Sequence, residues 1–320
     1  MDRPGAVARL RAVLAGFATD HLPDATAWCV ALSGGPDSLA LTAAAAGTLP
    51  TTALIVDHGL QAGSAEVAET ARRHALDLGC VAARVLPVEV GTVGGPEAAA
   101  RAARYAVLEA ARGDAPVLLA HTLDDQAETV LLGLGRGSGA RSIAGMRVGD
   151  PPWYRPLLAE RRSLTHAACA ELGLAPWDDP HNTDRRFTRV RLRIEVLPLL
   201  EDVLGGGVAE ALARTAAALR EDTEALDDLA DRALDDAEDG APVAVATLVG
   251  LPTAVRRRVI RRWLLRGGAS GLTDKQIRAV DALVVAWRGQ GGVAVGSDLR
   301  NQRLFAGRRD GRLVLYSQAV

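Results

Sequence analysis

The chain has 320 residues, long enough for two domains with separate cores, and its 48% apolar and 24% charged content is ordinary for a globular protein. A net charge of −2 gives composition no claim on a nucleic-acid partner. Cys29, Cys80 and Cys169 are scattered and odd in number, with no CxxC, which argues against a disulfide framework, a zinc site or thiol-based sulfur transfer. A reducing cytoplasm fits them best. Lys275 is the only lysine, so the abundance of arginine is weak evidence for phosphate binding. Ser38–Val56 is uncharged but broken by Gly47 and Pro50, and no membrane segment is expected.

Apolar spacing at Val7, Leu10, Val13, Leu14 and Phe17 predicts an amphipathic helix. A short buried strand around Trp28–Leu32 then stops at Ser33-Gly34-Gly35-Pro36-Asp37-Ser38, and a run of helix formers begins at once. Gly34 and Gly35 permit positive φ and close approach of a ligand, and the free N–H groups of the helix start face it. Strand, tight loop and helix in that order make an anion site, most often for phosphate. It is neither GxxxxGK[ST] nor GxGxxG. The bland alternative is a turn with two glycines and a capping serine.

Thr51–Val56 reads as a second strand ending at Asp57-His58-Gly59, and Ser64–Leu78 as a helix with Ser64 at its N-cap. Val81–Val90 is a third strand, Glu97–Ala111 a helix, and Pro116–Ala120 a fourth strand ending at His121. This alternation predicts an α/β fold with a doubly wound parallel sheet. Ligands bind at the carboxyl ends of such strands, where Ser33–Ser38, Asp57-His58 and His121–Asp125 converge.

Helix Gln126–Leu134, a glycine-rich loop at Gly135–Gly145, the segment Arg155–Leu158, helix Ser163–Leu172 and a polar stretch Asp178–Arg193 follow. The triple glycine Gly205–Gly207 marks the expected boundary between a domain at 1–204 and a smaller, mainly helical one at 208–320. The latter opens with helix Val208–Ala237, whose end is acidic, with ten acids between Glu221 and Asp239. Pro252–Arg266 is the opposite, with six arginines and no acid; Thr273–Trp287 is a further helix, and short strands close the chain.

Asp125 and Glu128 share a helix face over the first turn and can present two carboxylates to one ligand, a Mg²⁺ ion or an ammonium group. Acids in a first turn also stabilise a helix by capping alone, so both readings stand here.

SGGPDS resembles the pyrophosphate loop of the N-type ATP pyrophosphatases, the PP-loop superfamily. With DHGL (Asp57–Leu60), EAAARAARY (Glu97–Tyr105), AHTLDDQAET (Ala120–Thr129), GRGSGARS, RPLL and DPHNTDRRFTRVRLR (Asp179–Arg193) in order, the series closely resembles the tRNA(Ile)-lysidine synthetases of short form. The resemblance covers about Trp28–Glu201; beyond Gly205 it rests on length and helical character. Thr122 stands where members often have a second histidine, and Gln61 where a basic residue is frequent.

The resemblance implies that ATP adenylates C2 oxygen of a wobble cytidine in a CAU-anticodon tRNA(Ile), and that free L-lysine then displaces AMP. It implies ATP held by Ser33, Gly34, Gly35, Pro36, Asp37 and Ser38 with Asp57 and His58, and Mg²⁺ near Asp37. Arg101 matches an arginine that family sites use, and Asp125 and Glu128 match its acidic pair, with Asp125 also suited to orienting the amine. Arg185, Arg189, Arg191 and Arg193 are the first candidate RNA contacts and Arg256–Arg266 the second, against the alternative of a face that neutralises local acids. A homodimer is one candidate assembly. The rivals are a tRNA thiolase, which these cysteines suit poorly, a small-molecule amidating ligase, which would pair with a glutaminase, and a non-catalytic ATP-binding regulator.

Overall fold

The computed structural model describes residues 4–59, 63–88, 95–137, 139–234, 239–297 and 302–319. Leu60, Gln61, the expected strand end at Glu89 and Val90, and Asp235, Asp236 and Glu238 of the acidic stretch lie outside them. Two compact units divide the chain: Met1–Gly137 with Ser142–Ala216, and Ser138–Arg141 with Ala217–Val320.

The first unit opens with α1 (Ala6–His21), β1 (Trp28–Ala31), α2 (Pro36–Ala46), β2 (Thr51–Asp57), α3 (Ser64–Asp77), β3 (Ala82–Pro87), α4 (Pro96–Ala111) and β4 (Val117–Leu118). There follow α5 (Leu123–Arg136), α6 (Ala140–Ile143), β5 (Gly149–Asp150), β6 (Trp153–Tyr154), α7 (Arg162–Glu171), α8 (Thr188–Arg191), a π-turn at Leu192–Val196 and α9 (Leu197–Leu204). The six strands lie in the order β3-β2-β1-β4-β6-β5, all parallel except β5 on β6. Val30, Ala53, Leu54, Ile55, Val117 and Leu118 are buried, the near-continuous apolar runs of a sheet covered on both faces. One face packs on α1, α2, α3 and α7 through residues such as Leu10, Leu14, Leu39 and Ala168. Leu108 of α4 covers the other with Cys29, Leu54 and Val117. Trp28 is buried whole because its indole N–H donates to Thr51 Oγ1 at 2.8 Å, satisfying its one polar atom.

The chain winds outward from β1 to β3, then returns to place β4 on the other side of β1. The crevice at that reversal, outside the carboxyl ends, is where such sheets bind ligands. Two local expectations need correction. Ser64 is the first residue of α3 rather than its N-cap, a position held by Gly63 at φ 84°, and the fourth strand is only Val117–Leu118. β5 and β6, two residues each, carry no alternation that a sequence could show.

In chain order α10 (Val208–Arg232), β7 (Val243–Ala244), α11 (Val245–Val249), α12 (Thr253–Arg266), α13 (Asp274–Val285), β8 (Val293–Val295), β9 (Gln302–Arg309) and β10 (Arg312–Ala319) follow. The second unit sets its helices against an antiparallel sheet of order β7-β10-β9-β8. Its core gathers Ile260, Trp263, Val280, Leu283, Leu304, Ala306 and Leu313. Thr273 and Gln276 cap α13 reciprocally.

The arginine-rich helix α12 is largely spent within its own unit. Arg256 Nε meets Asp281 Oδ1 at 2.6 Å with both side chains buried, and Arg257 takes the other oxygen at 2.9 Å. Arg258 pairs with Asp227 at 3.0 Å, Arg262 with Asp227 and Asp231, and Arg266 with Asp239.

Candidate functional site

Four segments bring the polar groups of the first unit together. In the SGGPDS loop Gly34 has φ 85°, a conformation that demands glycine, whereas Gly35 at φ −75° does not. That corrects the expectation for the second glycine. Pro36 is the first residue of α2, and no side chain among the described residues caps that helix, so its leading N–H groups stay open to an anion. Ser38 is buried and braces the loop: its hydroxyl donates to the Gly35 carbonyl at 2.9 Å and accepts from the Ser33 N–H at 3.2 Å. Gly34 in turn accepts from the Trp177 N–H at 3.0 Å.

Beside the loop, over β1 and β2, lies a cavity of about 300 Å³ lined by Ser33, Asp57, His58, Arg104, Trp177 and His181, among others. Asp57 turns the chain by accepting from the Gly59 N–H at 3.0 Å. Among the described residues the Nδ1 atom of His58 is buried without a hydrogen-bond partner, and burial together with Arg104 holds its ring below its ordinary pKa. Arg104 is the arginine at this cavity. Arg101, one turn earlier on α4, is exposed and donates to the Tyr105 hydroxyl at 3.2 Å while lying over that ring. The AR..RY spacing, which puts the two arginines at i and i+3, was the signal that could have found both.

At the end of β4 the helix α5 starts with a capping box. Asp125 Oδ2 accepts from the Thr122 N–H and hydroxyl, each at 2.8 Å, while its Oδ1 points to Arg162 Nη2 at 2.7 Å. Oδ2 thus takes the capping role that the sequence offered, and Oδ1 is held by an arginine. Glu128, one turn on, has no exposed surface; Arg193 Nε and Nη2 lie 2.8 and 3.2 Å from its oxygens, and Arg189 Nη1 3.8 Å away.

Arg162, the first residue of α7, ties the site together and was not anticipated. Its backbone N–H donates to Asp124 Oδ2 at 2.7 Å. Its guanidinium meets Asp37 Oδ2 through Nε at 3.3 Å, Asp125 through Nη2, and Glu128 through Nη1 and Nη2 at 3.5 Å. The Thr165 hydroxyl donates to the other Asp37 oxygen. The preceding RPLL segment sets the start of α7: Arg155 is buried and donates to the Arg147 carbonyl, and Leu157 and Leu158 are core residues. The glycine-rich loop is held onto α5 by Gln126, which donates to the Met146 carbonyl and accepts from its N–H. A side chain at Gly133 of α5 would collide with the Ser142 carbonyl oxygen, and one at Gly145 with the Gln126 amide.

Charge follows this geometry. Burial pushes the Asp37 carboxyl up, and Thr165 and Arg162 only partly offset it. Burial presses Asp125 the same way, but Arg162, the Thr122 donors and His121 outweigh it and hold the carboxyl below its ordinary value. The carboxylates likewise outweigh burial at Arg162 and raise its pKa. His121 is lowered to about 4, by burial above all and by Arg155, Arg104 and Arg101 beside it, against the opposite pull of Asp125; it is neutral near pH 7. Burial lifts the Cys80 and Cys169 thiols to about 11, leaving both unreactive.

Of the four arginines expected on RNA, Arg193 and Arg189 turn toward Glu128. Arg185 and Arg191 lie outside on Glu195, at 3.7 and 3.0 Å.

A phosphate-ready loop at the switch point of a parallel sheet, with a nucleotide-sized cavity beside it, defines a PP-loop ATP-using domain. The family profile described as the PP-loop domain matches residues 8–200, and that described as the TilS substrate binding domain matches 244–314. The chain is 71% identical over 320 residues to the tRNA(Ile)-lysidine synthase of Mycolicibacterium paratuberculosis, covering all of both chains. It is 72% identical over 324 residues to that of Mycobacterium tuberculosis, again over all of both. Against that of Nocardia farcinica it is 61% identical over 312 residues, covering 97% of this chain and 98% of that one. The chain belongs to the tRNA(Ile)-lysidine synthase family. The U34-tRNA thiolase NcsA of Methanococcus maripaludis shares the fold, with a TM-score of 0.55 over 68% of this chain and 80% of the other at 17% identity. No helix among the described residues is long and apolar enough to cross a membrane.

Proposed function

We propose that this chain ligates L-lysine to C2 of the wobble cytidine C34 in the CAU anticodon of tRNA(Ile), using ATP. The observation that carries the reading is that the phosphate loop and the acidic pair share one edge: a single guanidinium spans Asp37, Asp125 and Glu128. A site that activates one partner and receives a cationic second partner needs that adjacency.

In the first step the cytidine C2 oxygen attacks the α-phosphorus and pyrophosphate leaves. The loop Ser33–Ser38 cradles the departing charge with the N–H groups of Gly34, Gly35, Asp37 and Ser38, Pro36 setting the helix start without a donor of its own, and Asp57, His58 and Arg104 wall the nucleotide. Mg²⁺ is usually held by one or two carboxylates plus phosphate oxygens, and Asp37, a desolvated carboxylate in the first turn of the loop helix, fits that pattern. When bound, the ion neutralises charge on the pyrophosphate. In the second step the side-chain amine of lysine attacks C2, AMP leaves with the oxygen, and the amine loses a proton. Asp125 and Glu128 hold and orient the dibasic amino acid. Arg101 remains a candidate for stabilising charge in the transfer. Arg185, Arg189, Arg191 and Arg193 meet the RNA, with Arg189 and Arg193 at the reaction end. Residues 1–204 serve as the catalytic domain and 208–320 as the tRNA-binding domain.

The test is incubation with ATP, Mg²⁺, radiolabelled L-lysine and an unmodified CAU-anticodon transcript. Label enters the RNA, and changing C34 to uridine abolishes it. AMP formed with RNA but without label would leave the nucleotide chemistry standing and remove lysine as the nucleophile.

A further inference from the structure

Arg162 sits at the first turn of α7, where the helix dipole disfavours a cation, yet it is mostly buried. What holds it there is carboxylate on two sides. Nε serves Asp37, on the nucleotide side, and the Nη atoms serve Asp125 and Glu128, on the amine side. A guanidinium is a rigid planar fork. A cation brought to any one carboxylate competes with the guanidinium for it. A metal ion held by Asp37 would compete with Nε, and an ammonium at Asp125 would compete with the 2.7 Å contact.

We propose that Arg162 is a positioning residue that links the two halves of the site, so that nucleotide with its metal and the amino acid bind with positive cooperativity. This rests on the function proposed above. Whichever ligand comes first must shift the guanidinium, and the second then finds it shifted; linkage is reciprocal. The geometry also sets a selectivity rule: an amine gains most when the nucleotide is already in place, so lysine is not taken up idly.

The experiment is calorimetric titration of L-lysine into the full chain, with and without Mg²⁺ and α,β-methylene-ATP, which is not cleaved at the reacting bond. In the wild type the nucleotide tightens lysine binding by about fivefold or more. In Arg162→Gln, lysine binds more tightly than to wild type without nucleotide, and the nucleotide effect falls below about twofold. Arg162→Lys keeps the charge but not the fork, so it leaves nucleotide-free lysine affinity near wild type and still loses most of the linkage. A residue that only supports the fold moves neither ratio. Wild type without linkage, no lysine binding even with the nucleotide, or either variant with the full fivefold effect overturns the proposal. Should Arg162→Gln not fold, wild type and Arg162→Lys decide it alone. If label enters tRNA in the ligation assay and linkage is absent, only this inference falls; if label never enters, the proposed reaction falls first.

Discussion

Two arginine–carboxylate networks among the described residues are built from the same residue types, and they differ in arrangement and place. In the second unit Asp281 is shared by Arg256 and Arg257, and Asp227 by Arg258 and Arg262. There guanidiniums outnumber or match carboxylates, and the bonds fasten α12 to its neighbours. At the strand ends of the first unit one guanidinium, Arg162, is shared by three carboxylates, and Arg193 and Arg189 add to it at Glu128. Buried ion pairs are by themselves weak evidence for stability or for function. What separates these two is placement: one lies between packed helices, the other beside an anion loop and an open cavity.

The difference is widest under mutation of Asp37. Replacing it with alanine is expected to slow tRNA-dependent pyrophosphate release on the order of a thousandfold, the scale of a lost electrostatic contact to developing charge. The melting temperature moves little, because burial already disfavours that carboxylate. A protein that unfolds instead would make the acidic cluster a structural feature like the other network. Arg256→Ala gives the reverse pattern. It strips the nearer partner from buried Asp281 and costs about 3 kcal/mol in chemical denaturation, while the lysine KM of the folded enzyme stays put. A changed KM would mean that the two networks are not independent.

A smaller effect comes from His121. Its folded pKa of about 4 lies below the ordinary 6.5, so between those values the unfolded chain takes up a proton that the folded chain refuses. Stability therefore falls as pH drops from about 6.5 to about 4, by about 3 kcal/mol at most, and levels off below. His121→Gln removes that slope. Denaturation series at pH 7, 5.5 and 4.5 check it; a variant as pH-sensitive as wild type would assign the slope to other groups.

Much of this site could be read in the chain itself. The SGGPDS loop declared itself because strand, glycine turn and helix are local, and Asp125 with Glu128 because one helical turn relates them. The triple glycine is also local: Gly205, Gly206 and Gly207 all have positive φ, which no other residue type adopts as readily. Arg162 escaped because its partners come from elements 34 or more residues away and no spacing connects them. One clue was present, a cation at a helix N-terminus, the wrong end for it unless acids wait there. The arginine-rich α12 was legible only as a choice between an RNA face and a face that neutralises local acids. Arg256, Arg257, Arg258 and Arg262 find their acids on α10 and α13, so charge in a sequence window is not charge on a surface.

The central claim is that Glu128 and Asp125 receive the amine and play no part in activating the cytidine. Glu128→Gln tests it most directly, with pyrophosphate release and lysine incorporation followed on the same tRNA transcript. Glu128 is buried, so the amide keeps the shape and removes the charge. The predicted result is tRNA-dependent pyrophosphate release near the wild-type rate, with the lysine KM raised on the order of a hundredfold, the scale of one charge-assisted contact. Pyrophosphate release lost in parallel with lysine transfer, at saturating lysine, would contradict it and move Glu128 into the nucleotide half of the site.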